Sequence, residues 1–130
     1  MSFSNNQEDA ILDDRISTWS TAIYVALFVG DPGEDGSGGA EVSGGSYARP
    51  QADAATHWTT AASGGSVSND AAVVFASPTG SWGTVTHFAL YSAASGGTFY
   101  GSGALTVPIT IASGAGAPTI AIGALTITQD

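Results

Sequence analysis

The chain has 130 residues, 43% of them hydrophobic and only 10% charged, which is enough apolar material for one compact core and too little length for a second. Arg15 and Arg49 face eleven acidic residues for a formal net charge of −9, and lysine is absent, so nucleic acid and anionic membranes are repelled rather than bound. With no cysteine there is no disulfide, no thiolate nucleophile and no cysteine-based zinc site.

The first nine residues lack the basic and apolar regions of a secretory signal, and no apolar run approaches the roughly 20 residues of a membrane span, so synthesis in the cytoplasm is expected. Ser4 followed by Gln7 reads as a capping box, with Glu8 and Asp9 in the first turn, where the helix dipole favours negative charge. Ile11, Leu12, Ile16 and Trp19 then supply an apolar face, which predicts a short helix over residues 5–18.

Residues 22–29 form a continuous apolar run rich in β-branched and aromatic side chains, the pattern of a central strand covered on both faces. Asp31-Pro32-Gly33 breaks it, and the six glycines between Gly33 and Gly45 predict a long exposed loop. Further strands are expected over 47–52, 57–62, 66–68, 72–76, 84–92, 98–105, 107–112 and 119–128, separated by Gly, Ser and Asn. In Leu105-Thr106-Val107-Pro108-Ile109-Thr110-Ile111 every odd residue is apolar, and Leu125-Thr126-Ile127-Thr128 repeats the alternation, so Leu105, Val107, Ile109, Leu125 and Ile127 are assigned to the core. Pro108 has no N–H for a ladder, which makes its strand an edge or interrupts it. The reading is a single all-β domain over 1–130: the helix, then an antiparallel β-sandwich of jelly-roll or immunoglobulin-like type over 22–130.

Chemistry is hard to find. No dinucleotide fingerprint, P-loop or nucleophile elbow is present, and no nucleophile, base and orienting group sit at informative spacing, so no catalytic residue and no cofactor are assigned and the chain is expected not to be an enzyme. His57 and His87 lie in strand-like segments without ligand spacing and read as sheet-face histidines rather than a metal or catalytic pair. Asp31, Glu34 and Asp35, joined by Glu41, could offer oxygens to calcium, but the EF-hand spacing is missing and a solvated acidic loop is preferred; no metal site is assigned. Trp19, Trp58, Trp82, Tyr24, Tyr47, Tyr91 and Tyr100 are read chiefly as core or interface anchors, with an exposed glycan-binding row as the competitor.

Four stretches carry a resemblance: Ile23-Tyr24-Val25-Ala26-Leu27-Phe28 with Asp31-Pro32; Glu41 to Arg49; Trp82 to Tyr91; and Gly103-Ala104-Leu105-Thr106. Together they resemble a family of small tailed-bacteriophage virion proteins of head-decoration, head-fibre or tail-fibre-like type. The resemblance implies a structural protein of the virion. The first expectation is a capsid decoration, or cement, protein that binds the major capsid protein and copies of itself as a homo-oligomer. The alternative is a tail or fibre component contacting a host receptor.

Overall fold

In the computed structural model the described residues are 23–52, 58 and 66–128, with four isolated positions nearer the N-terminus. The helix expected over 5–18, the strand expected over 57–62, His57 and Trp19 lie outside the described residues, apart from scattered positions that define no element. Eight strands are described: β1 (Tyr24–Val29), β2 (Ala40–Glu41), β3 (Ser66–Ser68), β4 (Val73–Val74), β5 (Gly83–Tyr91), β6 (Phe99–Ile111), β7 (Thr119–Ile120) and β8 (Thr126–Thr128). All pairing is antiparallel. One four-stranded sheet has the order β2-β1-β5-β6, and two ribbons pair β3 with β8 and β4 with β7.

β1 is the inner strand its composition demands. Val25 and Leu27 enter the main core with Val85, Phe88 and Leu90 of β5, whereas Ala26 and Phe28 point to the opposite face and bury against Ala89. The register sets these alternations, since Val25 stands opposite Leu90 and Ala26 opposite Ala89. The ribbons supply Val67, Val73, Ile120 and Leu125 to the main core, so they and the sheet share one interior.

β5 and β6 form a long hairpin whose ladder is irregular. His87 pairs with Ala104 and Val85 with Ile109, so residues 105–108 stand opposite the single Thr86. The bulge shifts the face alternation of β5, and Val85 and Phe88, three apart, both point into the core. Gly103 sits where the Phe88 ring presses on β6; a Cβ there would lie 2.9 Å from a ring carbon and 3.1 Å from the Thr126 carbonyl oxygen. Only glycine lets the strand approach this closely.

Several expectations are corrected. The strands expected at 98–105 and 107–112 are one 13-residue strand, and it is the sheet edge, which is why Pro108 is tolerated without a lost ladder bond. Leu105 and Leu125 are buried as expected, as is Ile111 from the same alternation, but Val107 is 69% exposed and Ile109 36% exposed, because the bulge and the edge position leave them at the rim of the sheet. The Ile127 side chain lies outside the described ones. The segment expected as one strand over 119–128 is split between two ribbons by a turn at 121–125. Residues 47–52 make only an isolated bridge, Tyr24 with Gln51, and the expected loop contains the short strand β2.

Candidate functional site

The densest polar arrangement gathers three segments at one end of the sheet. The Arg49 Nε–H donates to Glu41 Oε2 at 2.7 Å and its Nη2–H to Glu41 Oε1 at 2.8 Å, a bidentate pair. Nη1 donates to the carbonyls of Ala93 at 3.0 Å and Gly96 at 2.8 Å, and the guanidinium lies 3.8 Å over the Tyr91 ring centroid. Tyr47 Oη donates to Glu41 Oε2 at 2.9 Å and accepts from the Leu27 N–H at 3.0 Å. Burial pushes the Glu41 carboxyl up, but the Arg49 and Tyr47 hydrogen bonds and the Arg49 charge outweigh it and hold it below its ordinary value. Burial pushes the Tyr47 phenol up, and the Glu41 hydrogen bond raises Arg49.

A cleft of about 400 Å³ opens beside this cluster, lined by Glu41, Ser43, Tyr47, Arg49, Ala94 and Gly96 among others. Arg49 already makes four hydrogen bonds within the chain, so the cluster is a clamp that fastens the β5–β6 turn to β2 rather than an anion receptor. The turn before it is shaped for the purpose. Gly44, Gly45 and Ser46 all take positive φ, and the Gly45 carbonyl accepts from the Trp82 indole at 3.0 Å and the Thr79 N–H at 3.0 Å. A side chain at Gly45 would meet the Gly80 backbone at 2.9 Å. Tyr47 thereby packs edge-on against Trp82, with ring centroids 5.3 Å apart.

The acidic loop turns inward on itself. Asp31 Oδ1 accepts from the Gly33 N–H and Asp35 Oδ1 from the Ser37 N–H and hydroxyl, local turn bonds that hold the Asp35 carboxyl below its ordinary value. Glu41 is taken by Arg49, and among the described residues no three His, Cys, Asp or Glu side chains converge as a metal site would require. His87 Nδ1 lies 2.8 Å from the Thr86 hydroxyl, and Thr86 also accepts from the Gly30 N–H. The glycan-binding row does not form from Tyr47 and Trp58: Trp58 is buried and donates to the Ala52 carbonyl, while Tyr47 is held in the clamp. Among the described residues no helix is long and apolar enough to cross a membrane.

The second candidate is apolar. At the outer edge of β6, free of pairing among the described strands, Leu105, Val107, Ile109, Thr119, Ile120, Ala121 and Ala124 line a groove of about 220 Å³, a surface able to pack against another surface and offering no reacting group. Sequence reasoning missed it by placing Val107 and Ile109 inside. It also missed the clamp, whose trace in the sequence is a Glu and an Arg eight residues apart in a chain with almost no other cations.

A family model described as podophage GP4 fiber I protein gp80 matches residues 2–128. The chain belongs to this family of podophage fibre proteins. The match spans almost the whole sequence and bears out the resemblance to tailed-phage virion proteins. No curated protein matches the chain. Within that family frame, the structure offers a polar clamp that rigidifies one end of the sheet and an apolar groove at the edge of the other end.

Proposed function

We propose that the chain is a non-enzymatic structural subunit of a podophage virion, built into a fibre, where it acts by packing against other virion proteins and copies of itself. The single observation that carries this reading is the fibre-protein family match over residues 2–128. The surface chemistry supports it: the polar groups at the clamp and in the acidic loop bond to one another, and the open groove is apolar. Neither nucleic acid nor membrane is proposed as a partner, because a net charge of −9 repels both. In this role the ribbons β3–β8 and β4–β7 together act as the second layer of a β-sandwich, a reading supported by the core they share with the sheet.

Decoration of the head, bound to the major capsid protein, is the second reading; the lack of any repeated shaft-like element among the described strands favours it. Immunogold labelling of purified particles, with quantitative mass spectrometry of virion proteins, separates the two. Fibre placement predicts label on the fibres and a copy number far below that of the major capsid protein. Label spread over the head at a copy number comparable with the capsid protein rejects it in favour of decoration, and absence of the chain from the particle rejects both.

A further inference from the structure

We propose that the apolar groove at the free edge of β6 is the surface on which a second copy of this chain docks. The proposal rests on the reading of the chain as an assembly subunit and names the partner of that surface. Val107 is 69% and Ile122 66% exposed, and Ile109 stands at 36%, while Leu105 and Ile120 are buried at the floor of the groove. Val74, the cross-strand partner of the groove-lining Thr119, is 56% exposed and continues the apolar surface onto β4. Branched aliphatic side chains gathered like this at one place mark a contact surface, whereas single exposed ones need no explanation.

Backbone pairing is not how the edge is used. Pro108 has no N–H and the bulge at residues 105–108 distorts the ladder, so an incoming strand would find a broken row of donors. Contact therefore runs through side chains. The groove carries a projecting Val107 at its rim beside a recess, and the exposed Ile122 directly follows the groove-lining Ala121 in the chain, so projection and recess lie side by side as a twofold self-complementary interface requires.

Charge selects the occupant. Two copies of a chain with net charge −9 repel, and the repulsion is least where neither presents a charge. Residues 71–129, which supply the whole groove, contain no Asp, Glu, Lys or Arg. Of the described carboxylates, Asp31, Glu34 and Asp35 lie between β1 and β2 and Glu41 lies in β2, the other edge of the sheet, whereas Asp70, half-buried beside Asn69, is the one next to the ribbons and is not among the residues that line the groove. A basic partner would be drawn to the acidic cluster around β2 and would find no charge to pair with among the residues that line the groove. A second copy finds in the groove a neutral, apolar match for its own.

The test is sedimentation equilibrium of the full chain as wild type, as Val107→Asp/Ile122→Asp and as Ser95→Asp, the last adding one like charge on the exposed β5–β6 turn. The wild type is expected to self-associate. The double variant is expected to raise the dissociation constant at least about tenfold, with an unchanged circular dichroism spectrum and melting temperature. Ser95→Asp is expected to leave association unchanged. If the aspartates unfold the chain, Val107→Ser/Ile122→Ser probes the same surface without charge and is expected to weaken association in the same direction. A wild type that stays monomeric, a folded groove variant that associates as the wild type does, or a Ser95→Asp variant that weakens association as much, overturns the proposal. A monomeric chain that still binds another virion protein through the groove overturns self-docking while leaving the assembly reading standing.

Discussion

Replacing Asn69 with alanine would remove a polar side chain that is 2% exposed and that organises the turn between β7 and β8. Its Nδ2 donates to the carbonyls of Ala71 at 2.8 Å and Ala121 at 3.1 Å, and its Oδ1 accepts from the Leu125 N–H at 3.0 Å. Its own backbone adds bonds to Leu125 and Gly123, so the side chain completes a lattice joining residues 69–71 to 121–125. Alanine leaves one donor and two acceptors without their partner. An unmade bond to a buried group costs about 1–3 kcal/mol, and relaxation or water recovers part of it, so about 2–4 kcal/mol is expected. At about 2.1 cal/mol/K per residue of unfolding entropy, that loss lowers the melting temperature of a 130-residue domain by roughly 7–15 °C. Urea denaturation followed by the fluorescence of the buried Trp58 and Trp82 reads it directly. Asn69→Asp sharpens the test: at neutral pH it sets a buried carboxylate against two carbonyl oxygens and is expected to be worse than alanine, with partial recovery in acid as the group becomes a donor. A loss below about 1 kcal/mol for Asn69→Ala would refute the assignment of the turn to this side chain.

Because the Glu41 carboxyl is held below its ordinary value of 4.5 in the folded chain, its contribution to stability is complete above that pH and fades as pH falls further, through the folded value. Glu41→Gln is expected to flatten the acid limb of a plot of stability against pH, and an unchanged limb would remove the clamp from the account. Leu125→Ala, at a fully buried site, is expected to cost about 2–5 kcal/mol in urea titrations. Val107→Ser, on the exposed edge, is expected to change monomer stability by no more than about 0.5 kcal/mol in the same assay; equal losses at the two sites would contradict the burial pattern. Gly103→Ala is expected to cost about 1–3 kcal/mol by thermal melting, since its Cβ would press on the Phe88 ring and the Thr126 carbonyl.

What could be read without coordinates is what depends on local pattern. The eight-residue apolar run at 22–29 could only be a strand covered on both faces, and β1 is one, with Leu27 in one core and Phe28 in the other. The strand at 84–92 was legible to within a residue, Pro108 marked its strand as an edge or an interrupted one and it is the edge, and Leu125 was placed inside. The absence of lysine and the charge of −9 bound the possible partners before any fold was known. Tertiary structure decided everything that depends on which segments meet. Period-two alternation assigns a face to Val107 and Ile109 but cannot say whether anything lies over that face, and the bulge opposite Thr86 leaves them uncovered as the rim of a groove. Glu41 and Arg49 look like separate loop residues until the turn at Gly44, Gly45 and Ser46 folds Arg49 onto Glu41 and onto a hairpin 44 residues further along. Asn69 reads as turn punctuation in the sequence and becomes a buried hub only because the turn at 121–125 returns to it. Side-chain periodicity is a property of a single strand, whereas burial, ion pairing and docking are properties of pairs of segments, and long-range contacts leave no spacing in the chain from which to infer them.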